Sequence, residues 1–320
     1  MEYFASKPAE EFDFKDILYE KRDMVARITI NRPHAYNAYT TNTLRELTAA
    51  FTDASHDDKV GVIVFTGAGD KAFCTGGDVK EYAAVYTQRP RDYWKYMSLF
   101  SRYIESIVKS GKVTIARLNG MAVGGGNESQ LACDLAVMAD DTYIAQVGTS
   151  VGSVACGGAT QWLSIHVGDR RAREMLFLNP RIPAKQALEW GLVNRVVPRE
   201  KLDEAVDEIV EKCLDKFPEC TRYTKAQINF WKEMAWHQTI AHAQDWLSLH
   251  FACLEPYEGM RAFVEKRRAD YRGVRRRAAE GGSSEFLWGP YRHECGKCGA
   301  KGIPAEFRYC GQCGAELSRE

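Results

Sequence analysis

KVTIARLNGMAVGGGNESQLACDLAVMA, residues 112–139, decides the fold of this chain. Residues 112–120 read as a short apolar strand, three glycines follow at 124–126, and NESQLACDLAVMA (127–139) reads as a helix. A strand that ends in glycines and opens into a helix is the repeating unit of an α/β fold with parallel strands. Upstream, VGVIVFT (60–66) is continuously apolar, as expected of a strand covered on both faces, and KAFCTGGDVKEY (71–82) supplies a second glycine turn. Residues 19–33 alternate like one strand that stops at Pro33, and residues 41–55 place Leu44, Leu47 and Phe51 on one helical face. From about residue 170 the pattern becomes largely helical.

The whole chain has 320 residues, 45% of them hydrophobic, and 43 Lys+Arg balance 43 Asp+Glu. That composition supports a substantial core and excludes disorder as the main state. Zero formal charge leaves no global basic field, which argues against nucleic acid and anionic membranes as partners. No apolar run reaches the roughly 20 residues of a membrane helix, and the acidic start MEYFASKPAEEFDFKD lacks the pattern of a secretory signal, so the expected location is the cytoplasm.

Six of the ten cysteines are scattered singly, and four lie together as Cys295-x-x-Cys298 and Cys310-x-x-Cys313. Two such knuckles predict a closed tetrahedral site of four thiolates, a zinc ribbon holding structural Zn2+, with a rubredoxin-type iron site as the rival. Four protein ligands leave no position for water or substrate, so this metal is expected to hold a small tail together, with docking to a protein partner as a further role. The sequence divides accordingly into a leader (1–18), a body (19–277), a linker (278–288) and the cysteine module (289–320).

The two glycine loops carry the candidate chemistry. Neither matches GxGxxG after the first strand or a phosphate-binding GxxxxGK[ST], so dinucleotide and nucleoside triphosphate readings fail. Glycine amides at a helix start stabilise developing negative charge, and two converging loops supply two donors, an oxyanion hole for a thioester enolate. Gly76, Gly77 and Asp78 belong to the first loop, Gly124, Gly125 and Glu128 to the second. Glu128 reads either as a favourable charge in a first helical turn or as a base beside the reacting carbon.

The segments ITINRPHAYNAY, VIVFTGAGDKAFCTGGDVKE, IARLNGMAVGGGNESQLACDLAVMA, VGSVACGGATQWL, PAKQALEWGLVNRVVP and EGMRAFVEKRRADY resemble the crotonase (enoyl-CoA hydratase/isomerase) superfamily over residues 19–272. Within it, YTT, FTGAGDKAFCTGG, KEYA, NGM, ACD, GGAT and FPEC are similar to the ring-opening 6-oxocyclohex-1-ene-1-carbonyl-CoA hydrolases. The resemblance implies a ββα spiral core, a helical C-terminal region that makes trimers or hexamers, and an acyl-CoA substrate handled without a redox cofactor. It implies that Gly77 and Gly125 donate the oxyanion-hole amides and that Glu128 is the catalytic carboxylate. The second glutamate of simple hydratases falls on Gly148 and is missing. Gln161 stands where an aspartate follows GGAT in the ring hydrolases, and an amide cannot act as a base.

The implied activity is water addition to a cyclic unsaturated oxo-acyl-CoA followed by hydrolysis of a ring carbon–carbon bond. The alternatives are a hydratase that stops after the first water, and a non-catalytic acyl-CoA-binding scaffold whose cysteine module docks a partner. Thr160 and Gln161 either position water or satisfy a helix start. Tyr82 and Tyr86 either close over the substrate or pack as one face of a helix. Cys156, without a basic neighbour in sequence, reads as a packing residue. Phe263, and Lys266 at the head of a basic stretch that runs to Arg277, are implied to contact the adenosine end of CoA.

Overall fold

Residues 19–33 fold as part of a hairpin and not as one strand. In the computed structural model, which describes residues 6–317, β1 (Ile17–Arg22) and β2 (Val25–Ile30) pair antiparallel around Asp23 and Met24. Both turn residues have positive φ, the geometry that matches strand twist in a two-residue turn, and no glycine marks it in the sequence. Residues 1–5 of the leader and 318–320 of the cysteine module lie outside the described residues.

α1 (Thr41–His56) starts at a capping box between Thr40 and Thr43 and buries Leu44, Leu47 and Phe51. Three strand–strand–helix units follow. The first is β3 (Val62–Gly67), β4 (Ala72–Cys74), the single turn α2 (Val79–Glu81), a π-helical turn (Tyr82–Tyr86) and α3 (Pro90–Val108). The second is β5 (Val113–Leu118), β6 (Met121–Val123) and α4 (Gly125–Ala132). The third is β7 (Leu135–Ala139), β8 (Tyr143–Ala145) and α5 (Ala159–Val167). The helix expected over 127–139 therefore stops at Ala132, and LAVMA becomes a strand. The Asp134 carboxylate draws the chain into the sheet by accepting from the Thr114 N–H (2.8 Å) and hydroxyl (2.9 Å).

The remaining elements are α6 (Asp169–Leu178), β9 (Ile182–Pro183), α7 (Ala184–Glu189), β10 (Arg195–Val197), α8 (Leu202–Leu214), α9 (Pro218–Ile228), α10 (Phe230–His250), α11 (Leu254–Val264), α12 (Tyr271–Ala279), β11 (Tyr291–His293) and β12 (Ile303–Pro304). The sequence pattern places the linker from 278, yet Ala278 and Ala279 extend α12, as alanine favours, and the chain breaks only near Gly281 at φ +82°.

The long strands form a six-stranded sheet ordered β1-β2-β3-β5-β7-β10, parallel from β2 onward. The short strands form a second sheet, β4-β6-β8-β9, parallel through β8. Both faces of the larger sheet are covered, which explains the unbroken apolar run of β3. Ile63 and Phe65 join Leu47, Phe51, Tyr103 and Ile107, while Val62 and Val64 face Val206, Ile209 and Val210 of α8. Each such side chain contributes about 1.5–3 kcal/mol on burial.

The C-terminal helices return to this core through α10, whose Trp236 donates to Glu105 of α3 at 2.9 Å. Lys225 of α9 pairs with Asp134 at 2.8 Å. Among the described residues no helix is long and apolar enough to cross a membrane.

Candidate active site

β4 and β6 are neighbouring parallel strands, paired Ala72↔Met121 and Cys74↔Ala122, so the loops at their C-terminal ends emerge side by side. This register brings Gly76 and Gly77 to Gly124 and Gly125. Gly76 sits at φ +85°, and a Cβ there would lie 2.8 Å from the Gly125 nitrogen, so only glycine permits this approach. The first loop is clamped by Tyr39: its N–H donates to Gly76 O (2.9 Å) and its carbonyl accepts from Asp78 N–H (3.0 Å). Gly124, at φ +55°, lets α4 begin, and Gly125 is its first residue. The N–H groups of Gly77 and Gly125 have no acceptor among the described residues, the second because a helix's first turn has no carbonyl behind it.

Glu128 lies on the first turn of α4 with 4% of its surface exposed. Its Oε1 accepts from the Gly157 N–H (2.6 Å) and the Ala159 N–H (3.2 Å). Oε2 has no partner among the described residues. Burial pushes the carboxyl up to about 7, against the opposing pull of the two N–H donors. At neutral pH such a group holds a proton about half the time and serves as acid or base. Gly157 is required for this seat, because a Cβ there would strike the Phe100 ring and come within 2.9 Å of Oε2.

The structure distributes the other sequence-predicted residues unevenly. Tyr82 lies at the site: its hydroxyl faces the Cα of Gly77 and donates to the Tyr96 hydroxyl at 2.8 Å. Tyr86 is buried and its hydroxyl is bonded to that of Thr41, a packing role. Asp78 is spent on the loop itself, capping Lys80 N–H (3.0 Å) and Glu81 N–H (3.3 Å) and pairing with Arg32 at 3.2 Å. Gly148 follows β8 on the same edge as the other two loops, and a side chain there would meet Ser153 O at 3.1 Å and Ala155 N at 3.2 Å.

The single Thr160 hydroxyl hydrogen is shared between Ala155 O (2.8 Å) and Gln161 Oε1 (2.9 Å), and Gln161 Nε2 donates to Thr239 of α10 (3.2 Å). Both polar ends of Gln161 thus lie within hydrogen-bond distance of threonine hydroxyls. Phe263, exposed, lies on the last turn of α11, and Lys266, at φ +55°, lies just beyond its end. α11 itself packs against α2 and the π turn.

Sequence reasoning passed over Gly157, Ala159 and Tyr39. GGAT contains the first two and YTT the third, so the letters were visible, but a role made of backbone N–H groups leaves no chemical signature. Cys156 is buried, and burial together with the nearby Glu128 charge pushes its thiol well above the ordinary value, which suits a packing thiol and not a nucleophile.

The four tail cysteines do converge. Their sulfurs all lie within 4.8 Å of one another, with Cys295–Cys313 at 3.6 Å and Cys298–Cys310 at 3.7 Å. A tetrahedral Zn–S site with bonds of about 2.3 Å needs edges of roughly 3.8 Å, so the donor set fits. The two knuckles share one backbone pattern: Gly299 N–H to Cys295 O and Gly314 N–H to Cys310 O, both 2.8 Å, with each glycine in the left-handed region. N–H groups of Cys298 and Lys297 aimed at Cys295 bring its thiol down to about 6.

Comparison with known proteins bears on the body of the chain. Residues 20–275 match the family model described as enoyl-CoA hydratase/isomerase. A 6-oxocyclohex-1-ene-1-carbonyl-CoA hydrolase of Geobacter metallireducens is 33% identical over 290 residues, covering 75% of this chain and 76% of that protein. An enoyl-CoA hydratase of Mycobacterium avium subsp. paratuberculosis superposes with TM-score 0.73 at 26% identity, covering 80% of this chain and 98% of its own. One from Bacillus anthracis superposes with TM-score 0.64 at 31% identity, covering 81% and 100%.

Proposed function

This chain belongs to the enoyl-CoA hydratase/isomerase family of the crotonase superfamily, and on that premise we propose that it hydrolyses a ring carbon–carbon bond of a cyclic unsaturated oxo-acyl-CoA. The observation that carries the reading is the free Oε2 of a buried Glu128 beside two glycine amides that have no acceptor of their own. The thioester oxygen sits between Gly77 and Gly125. Glu128 first deprotonates a water whose oxygen bonds to the β carbon, and the same proton passes to the α carbon. A second water attacks the ring ketone as the ionised Glu128 takes its proton, the bond between that carbon and the α carbon breaks, and Glu128 then returns the proton to the α carbon. The electron pair leaves as the thioester enolate, held by the two amides, and protonation at the α carbon yields a free carboxylate with CoA still attached. Tyr82, facing Gly77, lines the acyl site, and Phe263 and Lys266 serve the adenosine end of CoA.

Gln161 favours a second reading. Its tie to Thr239 removes it from the water, and without an acid or base there the enzyme stops at the hydroxy ring, as a hydratase. Product analysis in isotopically labelled water separates the two. A labelled carboxylate on a CoA product supports ring opening, and a labelled hydroxyl on an intact ring supports hydration only.

The tail is read as a zinc ribbon in which Cys295, Cys298, Cys310 and Cys313 hold structural Zn2+, which closes the two knuckles and leaves no coordination position for chemistry. Metal analysis of the purified chain tests this against iron. Exposed Phe217, Tyr223, Ile228, Phe230, Trp231 and Leu249 on α9, α10 and the turn before them support assembly as a trimer or hexamer, which light scattering tests. We place the protein in the cytoplasm.

A further inference from the structure

A phenol faces each of the two donor glycines, and the two phenols are not equivalent. The Tyr82 hydroxyl over Gly77 gives its hydrogen to Tyr96. The Tyr39 hydroxyl lies against the Cα of Gly125, close enough that a Cβ there would collide with it, and has no hydrogen-bond partner among the described residues. Tyr39 is only 1% exposed. Its ring is fixed by stacking on Phe100 (centroids 5.7 Å apart) and by an edge contact with Tyr103 (6.0 Å), and its backbone clamps the first loop on both sides of Gly77. The phenol is held in a buried ring yet its oxygen is not sealed off, so an unpartnered hydroxyl at an oxyanion hole is open to a ligand placed there. Burial pushes the phenol well above its ordinary value, so it stays protonated and acts as a donor.

We propose that Tyr39 is a third hydrogen-bond donor of the acyl site, which binds a second carbonyl oxygen next to the thioester and so selects β-oxo thioesters over simple acyl thioesters. The proposal rests on the acyl-CoA reading above and deepens it. In a 1,3-dicarbonyl unit both oxygens can lie on one side of the α carbon, close to each other. An oxygen held by Gly77 and Gly125 therefore brings its neighbour near groups that flank those glycines. Of the two flanking phenols, only Tyr39 has its hydrogen free. When the unit enolises, its charge is shared by both oxygens, and the third donor strengthens with the charge.

The test uses the full chain and two probes without a double bond to hydrate, acetoacetyl-CoA, which carries the second carbonyl, and butyryl-CoA, which lacks it, with binding read before any turnover. The variant is Tyr39→Phe, which keeps the ring and its stacking, with a urea melt to verify folding. The expected result is a loss of about 10- to 100-fold in acetoacetyl-CoA affinity, the range of a hydrogen bond to a charged group. The ultraviolet absorbance of the bound enolate should weaken with it, while butyryl-CoA affinity stays within about twofold. Equal weakening for both probes, or for neither, overturns the proposal and leaves the acyl-CoA reading standing. Failure of the unaltered protein to bind either probe overturns both.

Discussion

Replacing Glu128 by Gln should make the protein more stable as it becomes less active, and the gain should depend on pH in a way the site fixes. The carboxyl is moved from 4.5 to about 7 by burial. At about 1.4 kcal/mol per unit, that shift means roughly 3 kcal/mol spent on keeping the ionised form folded. Between those two pH values the native state holds a proton that the unfolded chain releases. Stability is therefore fullest below the unfolded value and declines as pH rises toward the folded one. Glutamine is neutral throughout, and its Oε1 can still accept from Gly157 and Ala159, so it shows no such decline. The stability difference, variant minus parent, should grow by about 2.5 kcal/mol between about pH 5 and about pH 8, since part of the shift is already expressed at the lower value. Subtracting one protein from the other cancels every other titrating group. Urea unfolding at fixed protein concentration over that range measures it, and turnover should fall by about 10²–10⁴-fold at the same time. Parallel stability curves would show that Glu128 ionises like an exposed carboxylate, and the case for it as a poised acid or base would go with them.

Other substitutions probe the supports of the site. Gly76→Ala forces a Cβ to within 2.8 Å of the Gly125 nitrogen at a φ of +85°, so the loops must part, and turnover should drop by about 10²- to 10³-fold on the scale of a lost oxyanion donor. Lys225→Met strips the partner from Asp134, a pair whose lysine side chain is 7% exposed, and should cost about 3–5 kcal/mol in urea unfolding, part of which Asp134→Asn restores. Cys310→Ser should abolish bound metal and expose residues 290–317 to protease while the urea midpoint of the body stays unchanged. Loss of the body's cooperative transition in that variant would show that the cysteine cluster supports the whole chain.

Much of the architecture was written in the order of apolar residues. The unbroken run of β3 announced a strand covered on both faces, and the glycines after β4 and β6 announced where the chain approaches itself. Two errors share a cause. Residues 19–33 and 127–139 each contain two elements whose junction carries no glycine or proline. At the hairpin, Asp23 and Met24 accept positive φ that their letters do not advertise. At Asp134 the helix ends because a carboxylate finds Thr114 on the neighbouring strand, a contact 20 residues distant in sequence.

The candidate site follows the same division. Its donors are backbone N–H groups, placed by the parallel register of β4 and β6, and what the sequence records of them is the absence of side chains at Gly76, Gly77 and Gly125. That absence is legible because any Cβ there collides with something. The seat of Glu128 is equally a backbone construction, from Gly157 and Ala159, but one alanine among many attracts no notice. Gln161 reads from sequence either as a residue that positions water or as one that satisfies a helix start, and only the fold shows α10 bringing Thr239 to it. Tyr39 is the sharpest case: it falls between the strand read over 19–33 and the helix read over 41–55, and nothing beside it in sequence marks it for the site. Its function depends on Gly125, far along the chain, lacking the atom that would otherwise occupy the same space. A site whose parts are defined by what the partner loop omits can be located from sequence at its glycines. The groups those omissions admit appear only when the loops are brought together.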